Sequence, residues 1–139
     1  MSATSRPTTR RPSAPTAPRR FTAARSRRAA TPRNSSERRA VRWYRLRGYR
    51  ILGVNEWAAG NELDLVARRG SQLVFCEVKG KSGARFGDPL EMVDAEKQRR
   101  LRRAATAWLA ARPELDGCRV RFDVVAERAG RLERVADAF

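Results

Sequence analysis

Two carboxylates and a lysine, Asp64, Glu77 and Lys79, sit in a pair of apolar-patterned segments whose spacing is that of a hairpin. The segments are ELDLVARR (62–69) and QLVFCEVK (72–79), separated by Gly70-Ser71. A two-residue Gly-Ser link between alternating runs predicts a tight antiparallel turn. With Arg69 paired to Gln72, Asp64 falls opposite Glu77 and Glu62 opposite Lys79. Side chains alternate across a strand, so these four residues are expected on one face. Directly opposed positions have Cβ atoms about 4.5–5.5 Å apart. Two carboxylates that close repel, and a divalent cation between them would relieve the repulsion. Mg²⁺, or Mn²⁺ in its place, suits the pattern, since Mg²⁺ is commonly held by one or two carboxylates, waters and substrate phosphate. Lys79 could then orient an attacking water or stabilise charge on a phosphate oxygen. The same residues could equally form a plain acidic–basic ladder, with Glu62–Lys79 a cross-strand salt bridge.

The chain has no histidine. That removes histidine zinc sites and Ser-His or Cys-His nucleophile pairs, and leaves acid–base work to carboxylates, lysine or metal-bound water. Cys76 and Cys118 are expected as small core residues in a reduced, cytoplasmic setting. No apolar run approaches the roughly 18 residues needed to cross a bilayer, so no membrane association through a spanning helix is expected.

The elements that must position this hairpin can be read outward from it. Asn34 and Glu37, three apart, form a capping-box pattern that predicts a helix over 35–47, with Ala40, Val41, Tyr44 and Trp43 on its apolar side. YRILGV (49–54) reads as a strand and 55–61 as a loop. Residues 80–88 read as a Gly-rich loop, and Asp88-Pro89 as a helical turn. A long helix is expected from Asp94 to Ala111, stopping before Pro113, with Leu101, Ala104, Ala105, Trp108 and Leu109 as its core stripe. Carried back one turn, that stripe reaches Lys97, which could snorkel or meet a phosphate above the sheet. RVRFDVVAE (119–127) and RLERVADA (131–138) read as closing strands. The order α-β-β-β-α-β-β predicts an α/β domain over 35–139, a mixed sheet flanked by helices.

Charge is uneven along the 139 residues. The formal charge is +16; residues 1–34 hold nine arginines and no acid, and residues 35–139 hold the remaining 22 basic and all 15 acidic residues. The 1–34 segment, with five prolines and one large apolar residue (Phe21), predicts a disordered basic arm. It reads as a nucleic-acid arm, a mis-assigned start or a transit peptide. A balance this basic favours a polyanion, nucleic acid or an anionic membrane surface. Only three of the 31 basic residues are lysine, so an arginine-favouring genome also accounts for part of it.

The stretch NELDLVAR…LVFCEVKGK…GDPLEMVDAEKQRRLRRAATAWL…RFDVV resembles the YraN family of uncharacterised bacterial proteins, over Glu37 to about Val125. That family is similar to the PD-(D/E)xK nuclease superfamily, near the archaeal Holliday-junction resolvases. The resemblance implies a restriction-endonuclease-like core and a Mg²⁺- or Mn²⁺-dependent phosphodiester hydrolase. It assigns Asp64 and Glu77 as metal ligands, Lys79 as the lysine of E-x-K, and Glu37 as a helix-borne catalytic glutamate. Glu62 and Lys97 match supporting positions. Resolvase-like relatives imply a homodimer. Asn61 stands where the family commonly has Gly before the Glu of ELD, with Gly60 one position earlier.

The leading expectation is a metal-dependent endonuclease on DNA, branched or otherwise structured, with Arg99, Arg100, Arg102 and Arg103 neutralising phosphates. Alternatives are a nucleic-acid-binding protein that keeps the fold without cleavage, or a protein-interaction role for the basic arm.

Overall fold

The computed structural model describes residues 30–81 and 93–139. The first helix, α1 (Ser35–Leu46), begins where the sequence supplies a cap. The Asn34 side chain accepts the Glu37 N–H at 2.8 Å. Glu37 reaches back one residue further than a standard capping box, accepting the Arg33 N–H at 2.6 Å. Gly48, at φ +79, lets the chain turn out of the helix toward the sheet.

Five strands follow around a second helix: β1 (Arg50–Ala58), β2 (Asn61–Arg69), β3 (Gln72–Lys81), α2 (Ala95–Ala110), β4 (Arg119–Arg128) and β5 (Arg131–Val135). Their spatial order is β1-β2-β3-β4-β5. All neighbours are antiparallel except β3 and β4, which run parallel. A parallel pair needs a crossover, and α2 lies in it. The expected α/β class, with a mixed sheet flanked by helices, is what the structure has.

The helices cover opposite faces. α1 packs through Ala40, Val41 and Tyr44 on Leu65, Ala67, Val74, Cys76 and Val125. α2 packs through Leu101, Ala104, Ala105 and Trp108 on Val66, Leu73, Phe75 and Val124. Leu109 sits at the margin of that core. Trp43 is half-buried, its ring covered by the guanidinium of Arg47 at 3.7 Å and that of Arg134 at 4.8 Å. Cys76 is buried, Cys118 half-buried, and neither forms a disulfide.

Three sequence expectations change. Residues 55–61 are not a loop: β1 continues to Ala58, and Ala59 (φ 46) and Gly60 (φ 76) turn directly into β2. Two left-handed residues are what a two-residue type I′ hairpin requires. Alanine in the first position hid that signal. The last strand stops at Val135, three residues early, because Asp137 takes a left-handed φ of 51 and its N–H turns in to Asp123 Oδ1. The Gly-rich loop gives up Gly80 and Lys81 to β3. The rest of that loop, the Asp88-Pro89 turn and residues 1–29 of the basic arm lie outside the described residues. Among the described residues no helix is long and apolar enough to cross a membrane.

Candidate functional site

The hairpin register is as the turn predicts from Arg69–Gln72 up to Leu65–Cys76. The ladder then stops, one position short of Asp64 and Glu77. Asp64 does not stand across from Glu77 as a paired residue; its Oδ2 accepts the backbone N–H of Val78 at 2.8 Å. The carboxylate has replaced a strand partner.

The break coincides with a change of face. On β2, Leu65 packs on the α1 side but Leu63, two residues away, packs on the α2 side. On β1, Val54 packs on the α1 side, whereas Glu56 accepts the indole N–H of Trp108 on α2 at 3.2 Å. Period-2 alternation forbids both, so each strand reverses its faces here. β1 has an earlier reversal too, at the bulge between Ile51 and Gly53, which puts Leu52 on the α2 side and Val54 on the α1 side. The reversal after Val54 falls at Asn55, whose φ is 51, and that on β2 at Asp64; both lie between the ladder pairs Val54–Leu65 and Glu56–Leu63. Asparagine tolerates the left-handed region better than most residues.

This reversal corrects the single-face expectation. Glu62 lies on the other side of the break, in an ion pair with Arg33 just before α1, and not with Lys79. Lys79 pairs with Glu77 on its own strand, Nζ to Oε1 at 2.9 Å. Lys97 reaches the same oxygen from α2 at 3.2 Å. The extension of the α2 core stripe to a lysine is thereby explained, since the ammonium ends on a carboxylate at the sheet surface.

Glu77 is only 6% exposed, and its second oxygen, Oε2, is buried without a hydrogen-bond partner among the described residues. An unpartnered buried carboxylate oxygen is costly. Burial, and next the Glu77 charge, push the Asp64 carboxyl up to about 7; the Val78 N–H and Lys97 pull the other way without cancelling the rise. Two carboxylates are thus held close enough to oppose each other, with an oxygen of one unused.

These observations fit a divalent cation. Among the described residues no three acidic or cysteine side chains gather as a ready-made cage. Mg²⁺ does not require one, since it commonly takes one or two carboxylates and keeps its waters. Asp64 and Glu77, the latter through Oε2, would hold it.

Glu37 is not drawn into this pair. Its carboxylate accepts from Arg33 N, from Asn34 Nδ2 at 2.7 Å and from Asn55 Nδ2 at 3.0 Å. It joins the α1 cap to the kink in β1. The α2 arginines divide. Arg99 and Arg103 are exposed on the outer face; Arg100 faces Glu96 at 3.9 Å, and Arg102 lies over Phe122 and Phe139.

Sequence reasoning missed three polar residues. Asn55 falls in the stretch whose sequence predicts a loop. Asp123 and Glu127 were hidden in the apolar run of β4. Asp123 is fully buried and accepts from Tyr44 OH (2.6 Å), Arg121, Arg134 and Asp137 N. Burial, with Asp123 alongside, raises the Tyr44 hydroxyl far above its ordinary range. Glu127 accepts from Ser36 Oγ at 2.9 Å and Arg39 at 3.0 Å. Alternation of acid and apolar residues in RVRFDVVAE was the available signal, since Asp123, Val125 and Glu127 share the face under α1.

Among the described residues, then, a five-stranded mixed sheet lies between two helices, with Asp64, Glu77 and Lys79 where an antiparallel ladder opens, which is the frame of an α/β protein. The chain belongs to the uncharacterised protein family UPF0102, whose model matches residues 36–126. A UPF0102 protein of Moorella thermoacetica is 48% identical over 89 residues, covering 64% of this chain and 73% of the relative. One from Magnetococcus marinus is 40% identical over 116 residues, covering 78% and 94%. One from Frankia alni is 51% identical over 78 residues, covering 56% and 64%. The family resemblance read from the sequence is borne out.

Proposed function

We propose that the protein is a divalent-metal-dependent phosphodiester hydrolase acting on DNA, branched or otherwise structured. The observation that carries this reading is the buried, unpartnered Oε2 of Glu77 beside an Asp64 whose carboxyl is pushed up to about 7. A binding surface for phosphates gains nothing from opposed carboxylates. A bound Mg²⁺ or Mn²⁺ would polarise the phosphoryl group and lower the pKa of an attacking water.

The chain's own residues do the rest. Asp64 is fixed by the Val78 N–H, so its free oxygen is aimed without rotamer search. Lys79 and Lys97 share Glu77 Oε1, which leaves Oε2 for the cation. When a phosphate enters, Lys79, 23% exposed, is free to swing toward its oxygens or toward the attacking water. Arg99 and Arg103 on the outer face of α2 would neutralise neighbouring phosphates.

The test is cleavage of supercoiled plasmid and of a four-way junction with Mg²⁺ or Mn²⁺. Wild type should cleave and Asp64→Ala should not. Equal rates for the two would remove the enzyme reading and leave a nucleic-acid-binding protein of the same fold.

A further inference from the structure

The outer face of α1 carries a second cationic feature, on the opposite side of the sheet from α2. Arg38, Arg42 and Arg45 recur at i, i+4 and i+7, all exposed. Their guanidinium groups make no hydrogen bond or ion pair among the described residues. The one acid of α1, Glu37, is buried and occupied by its cap. Like charges at helical spacing repel by a few tenths of a kcal/mol per pair. Here they do so three abreast, with no acid paired to any of them among the described residues.

The three arginines also frame a concavity. With Pro32, Val41 and the exposed Leu46 they line one surface hollow beside the helix. An apolar floor with charges of one sign at its rim focuses the field on an anion. Guanidinium forks match phosphate oxygens in pairs. The stripe is about 10 Å long at 1.5 Å rise per residue, enough to follow a backbone rather than one isolated anion. A membrane surface fits less well. An interfacial helix needs its apolar side free, and the apolar side of α1 is packed on the sheet.

We propose that this hollow holds the phosphodiester backbone of nucleic acid, separately from the carboxylate centre, so that one molecule grips strands on both faces of its sheet. The identity of the polyanion rests on the function proposed above; the geometry of the hollow does not.

The experiment is duplex binding by the full chain, followed by anisotropy over a range of salt concentrations. Each lost phosphate contact lowers the log–log salt slope by about 0.9. The variant Arg38→Gln/Arg42→Gln/Arg45→Gln should therefore lose about 2 to 3 in slope, equally for unrelated duplex sequences, while Mn²⁺ binding stays unchanged. Arg42→Gln alone should lose about one, and the triple Arg→Lys variant should keep most of the slope. Circular dichroism checks that the folds match. An unchanged slope in a folded triple variant overturns the proposal. So does a loss confined to phosphatidylserine vesicles, or to an acidic protein whose binding survives high salt. If the slope falls as expected but Asp64→Ala still cleaves like wild type, the catalytic reading fails and this one stands.

Discussion

Asp64 and Val78 are joined by a side-chain-to-backbone hydrogen bond of 2.8 Å at the point where the β2–β3 ladder has just ended. An acid that substitutes for a strand partner is fixed in position but poorly hydrated. Its rise to about 7 is caused first by that burial and second by Glu77.

Asp64→Asn is expected to stabilise the metal-free protein. The amide oxygen can still accept from Val78, and the repulsion with Glu77 is gone. Thermal melting at pH 8 should show Tm higher by about 5 °C or more, with cleavage and Mn²⁺ binding lost. A lower Tm would mean that the carboxylate pair is not opposed in the folded state.

The pH dependence has two signs. In the metal-free protein Asp64 holds its proton more tightly folded than unfolded, where its pKa is near 3.8. Its contribution to stability is full below about 4 and is lost as pH rises to about 7. Metal and proton compete for the same carboxylate, so Mn²⁺ affinity should rise with pH up to about 7 and then level. Calorimetry in buffers of different ionisation enthalpy would count the proton released. Affinity that is flat from pH 5 to 8 would contradict the assignment of Asp64 as a ligand.

The two lysines on Glu77 Oε1 should separate kinetically. Lys79→Met is expected to lower single-turnover cleavage by about 10²- to 10³-fold at saturating metal, the usual loss for one electrostatic stabiliser. Its Mn²⁺ affinity should change by less than the rate does. Lys97→Met removes a more distant ammonium, held at 3.2 Å, and should cost a smaller factor. The reverse ranking would assign the phosphate contact to α2.

Asp123 bears on stability alone. Asp123→Ala strips the partner from Tyr44, Arg121 and Arg134 at once. Breaking a buried pair costs about 3–5 kcal/mol, which urea unfolding would register as a large fall in midpoint with the slope preserved.

The hairpin was legible because Gly70-Ser71 and alternating apolar residues are local signals, and register follows from turn length. Asn34 with Glu37 announced α1 for the same reason. Lys97 was legible as a break in the apolar stripe of α2. The face reversal at Asn55 and Asp64 was not, because it depends on a left-handed φ at a residue that is neither glycine nor part of a turn. The turn register therefore points Glu62 at Lys79 where the structure pairs it with Arg33, and Asp123 and Glu127 read as ordinary strand residues. Their partners lie about 80 or more positions away in the sequence for Tyr44–Asp123 and Ser36–Glu127, beyond any local pattern.

The topology also orders events in time. β1, β2 and β3 are a meander with two-residue turns, so Asp64, Glu77 and Lys79 are brought together by short loop closures. β4 can join only after the chain from Lys81 to Arg119 has folded back to run parallel, a slower and less local pairing. The carboxylates are thus expected to meet before α2 delivers Lys97. A nascent chain would then expose its acidic pair without that balancing charge, and a divalent cation in the medium could speed the final docking of the helix.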